Sequence, residues 1–170
     1  EHLSEIQQKK IVRNLEKLDY SQIAQNVNIK RIDDSDWFIG QPLVEDGVMS
    51  EGEYCNFIKN IVRVNDRMLT IKPHPREDMT KYKILEKELN VKIIWANSIP
   101  VELLIDTSSF CKIYTVYSSV VINLSNMKNV ECIVLAELYK KKELIPKDIR
   151  LMLKGLSICS PNSWSELEKG

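Results

Sequence analysis

A single histidine stands between two prolines at the end of an apolar run. The run reads LTIKPHPRE over residues 69–77, and His74 is one of only two histidines in the chain. Pro73 and Pro75 restrict the backbone on both sides, so the imidazole would lose little conformational entropy when it binds a ligand. An imidazole can donate a hydrogen bond to a phosphate oxygen or a proton to a leaving group. These residues therefore predict a rigidly held acid or anion-binding group.

Three further groups could act with this histidine on a phosphorylated ligand. Lys72 can bind a phosphate or a carbonyl of a base. Ser118 and Ser119 follow the apolar run CKIYTV and offer two hydroxyls together with backbone N–H groups, which suits an anion. Glu102 can accept hydrogen bonds from both hydroxyls of a ribose, as acidic residues do in nucleotide-binding folds. Each side-chain type thus suits one part of a nucleotide.

Another polar group follows the short apolar run WFI, where Gly40 and Gln41 precede an acidic Glu-Asp-Gly stretch at residues 45–47. All of these features also have ordinary structural explanations. A His-Pro pair after a strand is most often a turn, and a Ser-Ser pair usually caps a helix. Glu-Asp-Gly is common in loops, and a single glutamate such as Glu102 is most often a solvated helix residue. The choice between a functional and an ordinary structural explanation therefore depends on the order of these residues along the chain and on their place in the fold.

Helices and strands alternate along the chain with short connections. Ser50 and Glu53 form a predicted capping box for a helix that runs to about Val64. Further helices are predicted over residues 4–18, 81–90, 99–107 and 146–155. Strands are predicted near residues 37–40, 68–72, 91–95 and 111–116, and the apolar run ECIVLAELY at residues 131–139 favours a strand.

This alternation predicts the fold class. We expect an α/β, Rossmann-like domain with a mostly parallel sheet and helices on both faces. The carboxyl ends of parallel strands meet at one edge of the sheet, and open α/β sheets bind their ligands there. The turns that carry Gln41, His74 and Ser118 follow predicted strands, so we expect them at that edge.

The composition is that of a globular domain and excludes several function classes. The chain has 170 residues, of which 44% are hydrophobic and 28% charged, enough for one domain with a full core. Lys and Arg number 24, as do Asp and Glu, so no general attraction to nucleic acid or anionic membrane is expected. No apolar run approaches the length of roughly 18 residues that indicates a membrane span. Four widely spaced cysteines without a CxxC motif predict free thiols and no metal site.

The order of these groups resembles the bacterial sialyltransferases of glycosyltransferase family 52, the lipooligosaccharide and capsule type. The stretches FIGQPLVEDG, KPHPRE, IPVELL and YSSVVINL carry the resemblance, over about residues 36–125. It implies the nucleotide-binding, C-terminal half of a two-domain glycosyltransferase of the GT-B type. It also implies that sialic acid moves from CMP-sialic acid to a hydroxyl of a surface glycan, with inversion and without a metal or other cofactor.

The resemblance further implies a role for each site residue. His74 would meet the CMP phosphate and help it to leave. Ser118 and Ser119 would hold the same phosphate. Lys72 would lie near the cytosine, and Glu102 would accept the ribose hydroxyls.

Two of the matching stretches add further predicted site residues. Gln41 in FIGQPL and Pro75 in KPHPRE complete the predicted nucleotide-binding set. The family's acidic motif, two carboxylates followed by glycine, matches residues 45–47. The second carboxylate of that motif supplies the base, which makes Asp46 the residue that would take the proton from the acceptor hydroxyl.

The expected domain organisation has two parts. Residues 1–35 are predicted as an N-terminal helix and linker, and residues 36–170 as the CMP-sugar-binding domain. The chain opens without a methionine, and we expect a piece of a longer protein whose acceptor-binding half lies elsewhere. Whether this piece turns over on its own is left open.

The resemblance also sets the expected partners and location. A nucleotide-sugar donor and a glycan acceptor are expected, but no nucleic acid. A homodimer, and peripheral membrane association through the acceptor, are left open. The expected location is the cytoplasm or the inner face of the bacterial membrane.

Two other functions stay open from the sequence. A GT-B transferase that uses a UDP- or GDP-sugar would also place an acidic residue on the ribose and a helix N-terminus on the phosphates. A non-catalytic α/β interaction module would bind no nucleotide and would not need polar groups gathered at one sheet edge. Nucleotide binding distinguishes the three functions. A sialyltransferase would bind CMP, the other GT-B transferase would bind UDP or GDP, and an interaction module would bind no nucleotide.

Overall fold

The computed structural model describes residues 20–26, 30–32, 34–95, 98–149 and 158–168. The helix predicted over residues 4–18 lies outside these ranges. Of the helix predicted over residues 146–155, residues 147–149 are helical and residues 150–155 lie outside the described ranges.

A sheet of parallel strands forms the centre of the described structure. Its strands are β1 (Asp36–Ile39), β2 (Leu69–Lys72), β3 (Val91–Ile93), β4 (Cys111–Thr115) and β5 (Val130–Val134). Their order across the sheet is β3-β2-β1-β4-β5, and each neighbouring pair runs parallel. In register, Asp36 lies opposite Leu69, and Cys111 lies opposite Val130. The predicted Rossmann-like α/β fold is confirmed.

The central strand β1 and its neighbour β2 are buried along their whole length. Every residue of β1 and of β2 is buried, as is usual where helices cover both faces of a parallel sheet. Asp36 brings a charge into this region at the start of β1. Its carboxylate accepts a hydrogen bond from the N–H of Lys112 at 2.8 Å and lies 3.4 Å from the guanidinium of Arg67. The buried charge is therefore both paired and hydrogen-bonded.

A helix lies between each strand and the next. The helices are α1 (Tyr20–Asn26), α2 (Glu51–Val64), α3 (Thr80–Glu88), α4 (Val101–Leu104), α5 (Val121–Leu124) and α6 (Trp164–Leu167), with α1 before β1 and α6 after β5. Crossovers between parallel strands are right-handed in almost all proteins. Because the strand order reverses direction after β3, the connections before and after β3 cover opposite faces of the sheet.

The start of α2 follows the predicted capping box. The Ser50 side chain accepts a hydrogen bond from the N–H of Glu53 at 3.3 Å, and the Glu53 carboxylate accepts one from the N–H of Ser50 at 2.8 Å. These two bonds satisfy backbone donors that would otherwise lack a partner at the helix end. The face that α2 buries consists of Tyr54, Phe57, Ile58 and Ile61.

Several elements are shorter than the sequence predicts. β3 ends at Ile93, and α4 and α5 are single turns. The run predicted as a strand over residues 131–139 forms β5 only as far as Val134 and then turns through a 3₁₀-helix at Ala136–Leu138. Leu135 and Ala136 are still buried. Hydrophobicity therefore continues past the strand and does not mark its end.

The segment before β1 packs against α4. The N–H of Ile32 donates to the carbonyl of Leu104 at 2.7 Å, and the N–H of Asp106 donates to the carbonyl of Ile32 at 3.0 Å. Ala24 of α1 is fully buried. The division of the chain between residues 35 and 36 stays a prediction. Among the described residues, no helix combines the length and apolar character needed to cross a membrane.

Candidate functional site

The strand order creates a crevice at the carboxyl edge of the sheet. β1 is central, with β2 and β3 on one side and β4 and β5 on the other. The connections change direction between β1 and β4, which is the point where open α/β sheets bind ligands. Neighbouring strands lie about 4.8 Å apart, so the ends of β2 and β4 are separated by roughly 10 Å across β1. Side chains from both turns can therefore reach one small anion.

The predicted site residues lie around this crevice. Gln41 follows β1, His74 follows β2, and Ser118 follows β4. Glu102 lies in α4, in the connection between β3 and β4. The expectation that these turns share one edge of the sheet is thus met, while their roles in binding and catalysis stay predictions.

His74 is held through both its backbone and its ring. Its N–H donates to Oε2 of Glu77 at 2.6 Å, and its Nδ1 accepts a hydrogen bond from the N–H of Arg76 at 3.2 Å. When Nδ1 is an acceptor, the proton of the neutral imidazole lies on Nε2. The ring is half-buried, and the neighbouring Pro75 is exposed. The Nε2–H is therefore the donor that this ring can present to an anion.

A buried group of charges lies beneath the His74 turn. The side chain of Glu77 has no exposed surface, and its Oε1 lies 3.1 Å from Nζ of Lys81, whose side chain is only 2% exposed. Lys81 also pairs with Glu45 at 3.0 Å. Burial acts to raise the pKa of Glu45, but hydrogen bonds from the N–H of Asp78 and from Lys81 outweigh it, and the pKa is lowered. One ammonium group thus links two carboxylates.

Two tyrosine hydroxyls extend this group toward β1. Tyr82 donates to Oε1 of Glu77 at 2.7 Å, and the hydroxyls of Tyr82 and Tyr54 lie 2.8 Å apart. Burial is the main cause that raises the pKa of both phenols, so both stay protonated. Gly40 at the end of β1 approaches the same carboxylate, and a Cβ atom there would lie 2.3 Å from Oε2 of Glu77. This close approach requires glycine.

The side chain of Gln41 spans the crevice from β1 to β4. Its Oε1 accepts hydrogen bonds from the N–H of Tyr117 at 2.8 Å and from Oγ1 of Thr115 at 3.1 Å. Gln41 is buried. The structure therefore gives this side chain a bracing contact to the turn that carries Ser118, and its predicted contact with the nucleotide remains to be tested.

The two serines lie in a tight turn at the end of β4. Oγ of Ser118 accepts a hydrogen bond from the N–H of Val120 at 3.3 Å, while the N–H of Ser118 donates to Oγ1 of Thr115 at 3.4 Å. The Ser118 hydroxyl thus bonds within its own turn and does not cap α5, and its hydrogen is a donor that an anion can accept. Ser119 is exposed. Because α5 has a single turn, its dipole adds little, and the hydroxyls are the groups here that could bind an anion.

Lys72 and Glu102 approach one region from β2 and α4. Lys72 is buried, and burial lowers the pKa of its ammonium group although the charge of Glu102 acts in the opposite direction. Glu102 is buried too, and its Oε1 accepts a hydrogen bond from Nδ2 of Asn123 at 2.7 Å. A cation held in this way favours a ligand that brings an anion or a carbonyl oxygen to it.

Asp46 lies in the turn after β1 and pairs with Arg76. Nη1 of Arg76 lies 3.0 Å from Oδ1 of Asp46, and Nη2 lies 3.1 Å from Oδ2. The Asp46 side chain is 40% exposed, and the Arg76 side chain is 62% exposed. Gly47 follows with φ of +69°, a conformation that suits glycine. Burial, and after it the charge of Asp46, raises the pKa of Tyr117.

Sequence reasoning missed the residues that hold the predicted ones in place. Glu77 and Arg76 stand within KPHPRE, yet nothing local indicates what they contact. Thr115 and Asn123 lie three residues before and five residues after Ser118, and this proximity was their only signal. Among the described residues, no group of three His, Cys, Asp or Glu side chains gathers as metal ligands do.

Comparison with known proteins identifies the family of this chain. No curated protein matches the sequence. The model of one protein family, described as glycosyltransferase family 52, matches residues 2–137. That range covers well over half of the chain and includes every predicted site residue. The chain therefore belongs to glycosyltransferase family 52, and the polar edge of its parallel sheet is part of a glycosyltransferase domain.

Proposed function

We propose that this domain binds CMP-sialic acid and serves as the donor-binding part of an inverting sialyltransferase that acts on a surface glycan. The observation that carries the proposal is the placement of Lys72, His74, Glu102 and Ser118 around the carboxyl edge of one parallel sheet. An imidazole and hydroxyls suit the phosphate, a carboxylate suits the ribose, and a buried ammonium suits the carbonyl of the base.

The phosphate end of the site would carry the chemistry. As the bond from the sugar to CMP breaks, negative charge develops on the departing phosphate and the sugar gains oxocarbenium character. Nε2–H of His74 would donate to that phosphate, joined by the hydroxyls of Ser118 and Ser119. A single donor aimed at developing charge typically contributes about 3–4 kcal/mol of transition-state stabilisation. Because these groups neutralise the charge themselves, we expect transfer to persist in EDTA.

The nucleoside end of the site would supply specificity. The hydrogen bond from Asn123 orients the carboxylate of Glu102, which would accept the ribose hydroxyls. Lys72 would donate to the carbonyl of cytosine. These contacts distinguish a ribonucleotide from a deoxyribonucleotide and a pyrimidine from a purine.

Asp46 would accept the proton of the glycan hydroxyl. In the structure both of its oxygens face the guanidinium of Arg76. Exposed ion pairs contribute at most about 1 kcal/mol to stability. Breaking the pair of Asp46 and Arg76 when substrates bind would therefore cost little free energy. A carboxylate in this position then acts as a general base.

Calorimetric titration with five nucleotides tests the donor. We expect weak binding of CMP and weaker binding of UMP and AMP. Equal binding of these three, or no binding, would overturn the sialyltransferase assignment. A preference for UDP or GDP would instead support a transferase that uses one of those donors.

A second titration tests Glu102 separately. In the natural sequence, 2′-deoxy-CMP should bind less tightly than CMP, and Glu102→Gln should reduce that difference because its amide is a poorer acceptor for the ribose hydroxyl. Glu88→Gln is the matched control, since Glu88 forms an exposed pair with Lys59 at 2.8 Å and has no place in the site. An unchanged preference for the ribose in Glu102→Gln would remove Glu102 from the nucleotide site.

A further inference from the structure

We propose that Glu77 is the positioning residue of this site, and that its buried carboxylate fixes the orientation and tautomer of the His74 imidazole. The carboxylate accepts the backbone N–H of His74 at 2.6 Å. The catalytic meaning of this contact rests on the proposed function, because it assumes that His74 acts on the donor phosphate. The claim that Glu77 orients the His74 ring does not depend on the proposed function, so it can be tested separately from the claim about catalysis.

The carboxylate of Glu77 connects the turns after β1 and β2. One oxygen accepts the N–H of His74, and the other accepts the hydroxyl of Tyr82 at 2.7 Å. The hydroxyl oxygen of Tyr82 lies 2.8 Å from that of Tyr54. On the β1 side, Gly40 packs so closely on the carboxylate that no larger residue fits. A shift of Glu77 would therefore move both turns at once.

The same turn also determines which ring nitrogen of His74 carries the proton. Arg76 presents its N–H to Nδ1 of His74 only while the turn over residues 74–77 keeps its shape. Two bonds close that turn: the N–H of Glu77 donates to the carbonyl of His74 at 3.0 Å, and the N–H of His74 donates to the Glu77 carboxylate. With Nδ1 occupied, the ring proton lies on Nε2, facing away from the turn. Loss of the Glu77 carboxylate would leave only the backbone bond to hold the turn, and the looser turn would allow the Nδ1–H tautomer.

Lys81 makes a buried carboxylate acceptable beneath an anion site. An unpaired negative charge at this depth would repel a phosphate held by His74 and would be costly to bury. Nζ of Lys81 lies 3.1 Å from Glu77 and 4.6 Å from the centroid of the Tyr54 ring. The ammonium group, which Glu77 shares with Glu45, thus offsets much of the charge of Glu77 while leaving its oxygens as hydrogen-bond acceptors.

Kinetics of Glu77→Gln in the complete natural protein test the positioning role. We expect kcat for transfer from CMP-sialic acid to fall about 10–100-fold with little change in donor KM, since a small misplacement of a catalytic group costs rate more than binding. Asp36→Asn is the matched control. Asp36 is also buried, accepts a backbone N–H and pairs with an arginine, but it lies at the opposite edge of the sheet. Asp36→Asn should lower stability and leave kcat within about threefold.

The tautomer of His74 gives a readout that a merely structural role would not move. With His2→Gln as background, His74 is the sole imidazole, so its ¹⁵N resonances are unambiguous. We expect Nε2–H in the natural sequence and in Asp36→Asn, and a mixture with Nδ1–H in Glu77→Gln. Because Lys81 also pairs with Glu45, Glu77→Gln leaves no unpaired buried cation. If Glu77→Gln does not fold, Glu77→Asp keeps the negative charge, while its shorter side chain withdraws the oxygens from the N–H of His74.

The outcomes separate the two proposals. A folded Glu77 variant with unchanged kcat and an unchanged Nε2–H tautomer would overturn the positioning role. An equal loss of kcat in Asp36→Asn would overturn it too, because the loss would then reflect general destabilisation. If the natural protein transfers no sialic acid, the proposed function fails, while the tautomer comparison still decides whether Glu77 orients His74.

Discussion

The turn that carries His74 and the loop that carries Asp46 lie side by side but are held by different kinds of contact. The His74 turn rests on Glu77, Lys81 and Tyr82, all of which are buried. The Asp46 side chain is held by Arg76 in an ion pair at the surface. The two candidate catalytic groups thus differ in how firmly the fold fixes them.

The acidic motif itself shows the same contrast between neighbouring residues. Glu45 is anchored by the buried ammonium of Lys81 and by the N–H of Asp78. Asp46, one residue later, turns outward to Arg76. The first carboxylate of the motif therefore anchors the loop, and the second lies at the surface in an ion pair.

Burial explains why these two arrangements suit different tasks. A group that stabilises charge on the donor phosphate gains most when it is fixed beforehand, because no reorganisation is then needed during the reaction. A group that takes a proton from a second substrate must exchange partners, and an exposed ion pair gives way at low cost. On the proposed function, His74 would be the fixed donor and Asp46 the exchangeable base.

The largest expected effect tests the Asp46 side of this comparison. Asp46→Asn in the complete natural protein should lower transfer about 10²–10⁴-fold, since asparagine cannot accept the proton. CMP affinity should be unchanged, and the acidic limb of the pH–rate profile should disappear. Initial rates across pH and calorimetry measure the two quantities.

Asp78→Asn is the control for this change. Asp78 is exposed and accepts the N–H of Thr80 at the start of α3, so its substitution should leave transfer intact. Retention of most activity in Asp46→Asn would place the base elsewhere. The fold and the donor-binding roles would then stand, and the catalytic role of the loop at residues 45–47 would be withdrawn.

The next effect tests the fixed donor. His74→Ala should lower kcat about 10²–10³-fold and raise donor KM much less, because the imidazole acts mainly on charge that develops in the transition state. Steady-state kinetics with varied CMP-sialic acid measures both constants. His2→Ala, which removes the other histidine, should change neither. A rise in KM that accounts for the whole loss would show that His74 only binds the donor.

Substitutions in the serine turn test whether Ser118, Ser119 and His74 all bind the same phosphate. Ser118→Ala combined with Ser119→Ala should lower kcat within the same range as His74→Ala. The triple variant should lose less than the product of the two effects, because all three groups serve one phosphate. Kinetics of the three variants give the coupling directly. Full additivity would indicate that the serines and the histidine act on different groups.

The smallest effect concerns stability and tests the anchor of the acidic motif. The pKa of Glu45 is lowered from its ordinary value of 4.5 by its hydrogen bonds to Asp78 and Lys81, against the effect of burial. A lowered native pKa stabilises the fold fully above the unfolded value and less as pH falls through the native one. Glu45→Gln should therefore be less stable than the natural sequence near neutral pH, and the difference should shrink in acid. Chemical denaturation at several pH values checks this, and a pH-independent difference would show that the carboxylate charge does not anchor the loop.

Local patterns were sufficient for much of the fold. Alternating apolar runs and helical segments predicted the parallel sheet, and the neighbouring pair Ser50 and Glu53 predicted the start of α2. Both depend on interactions within a few residues, which periodicity and capping rules describe. The end of β5 at Val134 was not predictable in this way, because burial continues through Leu135 and Ala136 after the strand has ended.

The sequence by itself determined the types and order of the chemical groups at the sheet edge. It placed His74 between two prolines, the serine pair after a strand, and an acidic pair before Gly47. Each of these follows from residues adjacent in the chain. The resemblance to family 52 rested on the same short stretches, and the matching family model confirms it.

Only the tertiary structure decided which groups brace one another. Asp46 and Arg76 are separated by 30 residues, and Gln41 and Tyr117 by 76. These contacts depend on β1 lying between β2 and β4, and a strand order is the outcome of packing the whole sheet against its helices. A carboxylate such as Glu77 looks like a solvated residue in the sequence. It becomes the support of His74 because the fold buries it beside Lys81 and Tyr82, where its charge and both of its oxygens have partners.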